Sequence, residues 1–121
     1  MLPAPNRLRE RSDFTSAVRS FGGCRAGSRL LVVHATSTGA RAGLPPRVGF
    51  VVSKAVGGAV VRNRTKRRLR ALVAQRLDGI PTSVDLVVRA NPPAGQASSR
   101  ELQQALDPLL RRVVKGLGGV A

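Results

Sequence analysis

Short apolar runs separated by turn-forming residues predict three β-strands. The runs "RLLVVHAT", "RVGFVVSK" and "SVDLVVRA" cover residues 29–36, 47–54 and 83–90. Each run is rich in valine, and turn-forming residues lie at or near its ends. Side chains alternate between the two faces of a strand, so every second residue of a run is expected to point into a core.

Three other segments carry apolar residues at helical spacing, which predicts helices. The first covers residues 12–21, with Ser12 or Asp13 as its N-cap, and the second about residues 59–77. The third begins at "SSRE", a capping box. Its apolar positions are Leu102, Leu106, Leu109, Leu110 and Val113.

Pro108 lies inside the apolar pattern of the third helix. Proline removes a backbone donor and clashes with the preceding turn. Two alternatives follow: either the helix kinks at Pro108, or Asp107 caps a second helical segment.

The predicted elements give a small α/β (α+β) two-layer sandwich, in which about three helices pack against a short mixed sheet. Their order is α-β-β-(β)-α-β-α, where the bracketed strand is a connecting strand that the pattern does not locate. The 121 residues favour a single domain, with residues 1–11 and 116–121 as flexible termini.

The charge of the chain indicates what kind of partner it binds. Lys and Arg number 21 and Asp and Glu number 6, so the formal net charge is +15 and the pI is near 12.0. Such an imbalance attracts polyanions, and nucleic acid is the leading candidate partner. An anionic membrane surface is the second candidate partner, and acidic proteins are the third.

The charge is concentrated in "RNRTKRRLR", residues 62–70, within the second predicted helix. A helical wheel places an apolar stripe against the sheet, formed by Val61, Thr65, Leu69 and Leu72. The wheel puts cations on both flanks of the stripe, with Asn63 and Arg67 pointing farthest out. One flank carries Arg62, Lys66 and Arg70, and the other carries Arg64 and Arg68.

Like charges at this spacing destabilise a helix, and no acidic residue occurs within this predicted helix before Asp78. Phosphate groups explain the arrangement, because arginine presents a rigid fork to their oxygens. We therefore expect these cations to face solvent and to bind the phosphates of a nucleic acid. Because Arg64 is expected to face solvent, an Arg64→Ala variant should lose affinity for the nucleic acid while keeping its fold.

Several function classes have little support in the sequence. Cys24 and His34 are the sole cysteine and histidine, so neither an internal disulfide nor a four-ligand metal site is expected. The six carboxylates form no catalytic motif. No apolar segment is long enough for a transmembrane helix, and the first residues do not resemble a secretory signal, so a cytoplasmic protein is expected.

The stretch "RVGFVVSKAVGGAVVRNRTKRRLR" resembles the core signature of the protein subunit of bacterial ribonuclease P. That signature is a strand ending in Ser-Lys, a glycine loop, Arg-Asn-Arg, then Lys-Arg and a later Arg. The segments "NRLRERSDF" and "DLVVRANP" lie where the family has similar ones, so the resemblance covers nearly the whole chain.

The resemblance implies the order α-β-β-β-α-β-α with a left-handed βαβ crossover, against the usual right-handed rule. It implies a non-catalytic subunit that binds a catalytic RNA, with one protein bound to each RNA. No membrane partner is implied. The RNA requires Mg²⁺ and cuts precursor tRNA at its mature 5′ end. The protein holds the 5′ leader of the substrate and is not expected to bind a cofactor itself.

The resemblance also assigns roles to residues. Lys54 matches the Ser-Lys strand end, and the residues matching the basic motif would contact the catalytic RNA. These are Arg62, Asn63, Arg64, Lys66, Arg67 and Arg70, of which Arg62, Asn63 and Lys66 border the leader path. Arg68, on the same helix, is added as an RNA-binding residue.

The family's leader cleft lies between its first helix and the sheet. Phe14 matches an aromatic residue of this cleft, whereas Val18 and His34 stand where many members carry aromatics. We count all three as leader-binding residues. Compared with the members that carry aromatics, we expect weaker stacking on the leader and more reliance on charge. Spacing alone makes Phe14 a core residue and His34 an ordinary strand residue.

Three hypotheses compete with this one. A small ribosomal protein is also basic and cytosolic. An independent metal nuclease would cleave RNA without an RNA subunit. A membrane-surface protein would use the basic helix to bind anionic lipid.

Overall fold

The computed structural model describes Asn6, residues 23–37 and residues 43–118. Within these residues the chain forms four strands and two helices, joined in part by short 3-10 turns. The strands are β1 (Cys24–Gly27), β2 (Leu31–Ser37), β3 (Arg47–Val51) and β4 (Val84–Ala90). The helices are α1 (Ala59–Ala74) and α2 (Ser99–Gly118), and the turns are Lys54–Val56, Leu77–Gly79 and Pro92–Gln96. The helix predicted at residues 12–21 lies outside the described residues.

The four strands form one mixed sheet in the order β1-β2-β4-β3. β2 pairs antiparallel with both β1 and β4, whereas β3 and β4 are parallel. A parallel pair needs a crossover connection, and α1 supplies it. The mixed sheet and the βαβ unit confirm the predicted α+β class.

Both helices contribute to a core on one face of the sheet. Alternate residues of the strands point to this face, as the period-two pattern predicted. From the sheet they are Leu31, Val33, Ala35, Val48, Leu86, Val88 and Ala90, all buried. From the helices they include Leu69, Leu72, Val73, Leu102, Leu106 and Val113.

The opposite face of the sheet, called the polar face below, carries the other alternating residues. The strand register places across it Arg25, Val32, His34, Thr36, Arg47, Gly49, Val51, Asp85, Val87 and Arg89. Thr36, Asp85 and Val87 are nearly inaccessible, at 1%, 4% and 1% exposure. The polar face therefore combines buried residues with charged ones.

Strand β1 is the connecting strand that the sequence pattern did not locate. Its residues lie in "GGCRAGS", a segment for which the sequence pattern predicted neither a helix nor a strand. The strand has four residues and buries one of them, Ala26. It forms by pairing with β2 at the sheet edge, so its stability comes from tertiary hydrogen bonds rather than from its own composition.

The ends of the described elements differ from the prediction by at most three residues. β3 ends at Val51 because a 3-10 turn follows, in which the Val56 amide donates to the Ser53 carbonyl at 3.1 Å. α1 ends at Ala74, three residues early. α2 reaches Gly118, beyond residue 116, where we placed the start of the flexible terminus.

Helix α2 is continuous through Pro108, so the alternative of two segments capped by Asp107 is wrong. The Asp107 carboxylate instead accepts two hydrogen bonds from Arg76, just after α1. This guanidinium holds the pKa of Asp107 below its usual value. The predicted capping box is confirmed: the Glu101 amide donates to Ser98 Oγ at 3.1 Å, and the Ser98 amide to Glu101 Oε1 at 3.0 Å.

A second bidentate ion pair joins the two parallel strands on the polar face. Arg47 Nε lies 2.9 Å from Asp85 Oδ1, and Arg47 Nη2 lies 2.7 Å from Asp85 Oδ2. Asp85 is buried, and the Arg47 side chain keeps 19% exposure. Breaking such a pair leaves an uncompensated charge that is largely removed from water.

We predict that Asp85→Asn lowers the free energy of unfolding by about 2–3 kcal/mol, since Arg47 loses its anionic partner. Urea denaturation followed by circular dichroism measures the change. Asp78→Asn, in the exposed turn Leu77–Gly79, is the matched control and should stay within about 0.5 kcal/mol of the parent. Equal effects of the two substitutions would contradict a structural role for the pair.

Candidate nucleic-acid interface

The start of α1 is fixed by two closely packed glycines. Gly57 has a φ of 155°, and a Cβ there would lie 2.8 Å from Val61 Cγ1. Gly95, in the turn after β4, lies so close to Val56 that a Cβ on Gly95 would be 2.4 Å from the Val56 carbonyl oxygen. The two turns at Lys54–Val56 and Pro92–Gln96 therefore hold the N-terminal end of α1 in place.

The inner side of α1 is the narrow stripe that the helical wheel predicted. Thr65, Leu69 and Leu72 are buried together with Val73, and Val61 is half-buried. The Thr65 hydroxyl donates to the Val61 carbonyl at 2.9 Å, which satisfies its polar atom within the helix. A thin apolar stripe thus seats the helix and leaves most of its circumference to cations.

The predicted solvent exposure of Arg64 and Arg68 is wrong. Arg64 Nη2 donates to the Gly95 carbonyl at 3.0 Å, and Arg68 Nη1 donates to the Ala97 carbonyl at 2.8 Å. Both arginines are half-buried, and both acceptor residues are buried. The wheel placed these arginines correctly beside the stripe, but it contained no information on the segment that returns against them after β4.

The remaining cations of α1 form a surface that we call the phosphate row: Arg62, Lys66, Arg67 and Arg70. None of them has a hydrogen-bond or ion-pair partner among the described residues. Arg67, Arg70 and the nearby Asn63 are exposed, and Arg62 and Lys66 are half-buried. Arg62 Nε is buried and finds no acceptor within the described part of the chain. The row is therefore electrostatically uncompensated.

Next to the phosphate row, a groove of about 500 Å³ lies between α1 and the start of α2. Arg64, Arg67 and Arg68 line one side of it, and Ser99 lies on the other. Each guanidinium has five N–H donors, so Arg64 and Arg68 keep donors after binding their carbonyls. Lys54 is exposed in the turn that precedes α1. The groove and the row form one cationic surface.

The predicted leader residues are only partly covered by the structure. Phe14 and Val18 lie outside the described residues. His34 lies on the polar face of β2, with 9% exposure. Burial lowers its pKa, and the nearby charges of Arg25 and then Arg89 lower it further. The lowered pKa favours the neutral form of His34 at pH 7.

Arg25 and Arg89 are charged residues to which the sequence analysis gave no role. Arg25 lies in a segment for which no element was predicted, and Arg89 lies within the predicted strand at residues 83–90. The strand register brings both to the neighbourhood of His34. A strand at residues 24–27 was the missing information, because it alone places Arg25 on this face.

Other chemistry finds little support in the described residues. No group of three or more His, Cys, Asp or Glu side chains within them is placed to hold a metal ion. Neither described helix combines the length and apolar character needed to cross a bilayer.

The chain matches known proteins along almost its full length. The sequence model of the family described as Ribonuclease P matches residues 2–114. The ribonuclease P protein component of Streptomyces bikiniensis is 52% identical over 122 residues, covering 96% of this chain and 98% of that protein. Both comparisons span the described strands and nearly all of the described helices.

Solved structures give the same result for the fold. The RNase P protein of Staphylococcus aureus aligns with a TM-score of 0.78 and 27% identity, covering 90% of this chain and 97% of that one. The RNase P protein of Thermotoga maritima, in complex with 1-(4-fluorophenyl)-2-thiourea, aligns with a TM-score of 0.76 and 27% identity, covering 88% and 99%. The mixed four-stranded sheet with its two helices matches these proteins.

The two classes of arginine on α1 should differ in their effect on stability. We predict that Arg64→Ala and Arg68→Ala each lower the free energy of unfolding by about 1–2 kcal/mol, because each leaves a carbonyl of a buried residue without its donor. Arg67→Ala and Arg70→Ala serve as matched controls on the same helix, with changes within about 0.5 kcal/mol. Chemical denaturation of the four variants measures the difference, and equal stability of all four would refute the assignment.

Proposed function

Because the chain belongs to the ribonuclease P protein family, we propose that it is the protein subunit of a ribonuclease P, binding a catalytic RNA and the 5′ leader of precursor tRNA. In this role it assists the endonucleolytic 5′ maturation of tRNA. The observation that carries the proposal is the uncompensated phosphate row on α1, seated on a folded body by a thin apolar stripe. Such a surface is suited to a polyanion.

The protein's contribution is binding rather than bond cleavage. The active site and its Mg²⁺ ions are assigned to the RNA subunit, and no residue of this chain is assigned a catalytic role. The arginines of the phosphate row present planar forks to phosphate oxygens, and each contact releases condensed counterions. Contacts of this kind fix register without reading bases, as a subunit that accepts many precursors requires.

The residues proposed for the catalytic RNA are those of the cationic surface. The phosphate row supplies the main contacts, with Asn63 and Lys54 at its edge. Arg64 and Arg68 act from the groove, with the donors that their carbonyls leave free. Their contacts to Gly95 and Ala97 make them positioning residues as well, because they fix the groove wall.

The leader is assigned to the polar face of the sheet, with Phe14, Val18 and His34 as its contacts. The burial of His34 restricts it to an edge contact rather than a stacking platform. The three-helix order and a left-handed β3-α1-β4 crossover complete the proposed fold. We also propose one protein per RNA, no cofactor of its own and a cytoplasmic location.

Reconstitution tests this function directly. The full chain is added to a bacterial ribonuclease P RNA at low Mg²⁺, and precursor tRNA cleavage is measured. We expect stimulation by the parent protein and at least a tenfold weaker effect of Arg67→Ala/Arg70→Ala at the same concentration. Arg112→Ala, an exposed residue of α2, is the control. Cleavage of precursor tRNA by the protein in the absence of the RNA subunit, abolished by EDTA, would indicate a metal nuclease. If the protein does not stimulate cleavage and instead co-sediments with ribosomal subunits, it is a ribosomal protein.

Salt dependence measures how many phosphates are neutralised. With about five phosphates bound, the logarithm of the affinity for ribonuclease P RNA should fall against the logarithm of salt with a slope near −4. The Arg67→Ala/Arg70→Ala variant should reduce the slope by about 2 units, since two phosphate contacts are lost. A slope near −1 for the parent protein would rule out the phosphate row as the main contact.

A further inference from the structure

The strand register places two arginines on either side of His34 on the polar face. Arg25 of β1 lies directly opposite His34 of β2. In the next row of the sheet, Arg89 of β4 lies opposite Val32 of β2 and beside Val51 of β3. Neighbouring strands lie about 4.8 Å apart, and two residues span about 6.7 Å along a strand. Because β1 and β4 are separated by β2, the Cα atoms of the two arginines are about 12 Å apart.

The two arginines have no compensating charge. Both are exposed, and neither has a hydrogen-bond or ion-pair partner within the part of the chain that the structure describes. The carboxylate that the described strands bring to this face, Asp85, is held by Arg47. By contrast, Arg76 is paired with Asp107. Arg25 and Arg89 therefore resemble the phosphate row and differ from the arginines that stabilise the fold.

The electrostatic effect of both arginines converges at His34. The pKa of this buried imidazole is lowered first by burial, then by the charges of Arg25 and Arg89. The same field that disfavours a proton on His34 favours an anion beside it. The lowered pKa also disfavours a third positive charge on the imidazole itself.

The surface between the arginines offers little for base stacking. Gly27 and Val32 lie opposite each other between β1 and β2, and Gly49 and Val51 occupy the same face of β3. Base–aromatic stacking is the usual source of affinity for single strands. The described strands bring no Phe, Tyr or Trp to this face, and the imidazole of His34 is buried. Binding between the two arginines therefore relies mainly on backbone phosphates.

The site is also continuous with α1. The parallel strands β3 and β4 end at the same edge of the sheet, and Val51 and Arg89 pair there. Lys54 and the glycines that begin α1 follow β3 at that edge. An extended polymer that leaves the start of α1 meets Arg89 first and Arg25 next.

We propose that Arg25 and Arg89 form a second phosphate-binding site, which holds the backbone of the unpaired 5′ leader. This inference rests on the proposed function and adds to it the two residues that take over from stacking. The site binds the leader through charge, with little dependence on base identity. It acts on substrate affinity and not on the assembly of the protein with its RNA.

The test uses the reconstituted holoenzyme with Arg25→Gln, Arg89→Gln and the double variant, and Arg112→Gln as the matched control. Affinity is measured for precursor tRNA with a leader of several nucleotides and for mature tRNA without one. We expect the double variant to bind the precursor about tenfold more weakly, with unchanged affinity for mature tRNA and for the RNA subunit. Replacing the leader bases should not alter this loss.

Failure of the inference is distinguishable from failure of the function. If the parent holoenzyme stimulates cleavage and prefers precursor over mature tRNA, but the double variant behaves identically, Arg25 and Arg89 are not leader contacts. If the variant loses affinity for the RNA subunit instead, the two residues belong to the assembly interface, and the inference is overturned. If the parent protein neither binds the RNA nor stimulates cleavage, the proposed function itself is wrong.

His34 provides a readout independent of activity, because it is the sole histidine of the chain. Its imidazole proton signal is followed by NMR as a function of pH in the free protein. The double variant should show a higher His34 pKa, and so should the parent protein after addition of a leader-length RNA oligonucleotide. Arg112→Gln should leave the pKa unchanged. An oligonucleotide that binds without moving the His34 pKa would place the leader elsewhere.

Discussion

Repulsion among the cations of α1 is the constraint on which the rest of the structure depends. Six cations lie between Arg62 and Arg70, and no carboxylate within the helix offsets them. The helix is held by a thin buried stripe and by turns packed closely at its start, with Gly57 and Gly95 as the points of closest approach. The folded body therefore keeps a charge arrangement that an isolated helix would not favour.

The chemistry of the acceptors explains how the fold uses arginines without losing its positive potential. Arg64 and Arg68 donate to backbone carbonyls rather than to carboxylates, so each supports the structure and keeps its full charge. Carboxylate partners occur away from this surface: Asp85 binds Arg47 on the polar face, and Asp107 binds an arginine after α1. With so few acids in the chain, this division leaves the surface of α1 cationic.

Periodicity in the sequence predicted three strands, the two described helices and the stripe containing Thr65 and Leu69, because burial imposes a period on each element. It did not predict β1 or the partners of Arg64, since both depend on segments that meet only in the folded chain. The pairing of Arg25 with His34 follows from register, which one sequence does not specify at a short edge strand. Charge indicated a nucleic-acid partner, and the family resemblance supplied the expectation of which RNA it is.

The two cationic sites suit different demands in the proposed holoenzyme. The RNA subunit is a single constant partner, so several rigid arginines on one helix can be matched to its fixed phosphates. The leader varies between precursors, so a site for it has to tolerate any base, and phosphates are what all leaders share. Arg25 and Arg89 stand on a sheet, whose strand spacing fixes their separation more firmly than a loop would. A chain with few aromatics can in this way replace stacking by charge at a defined distance.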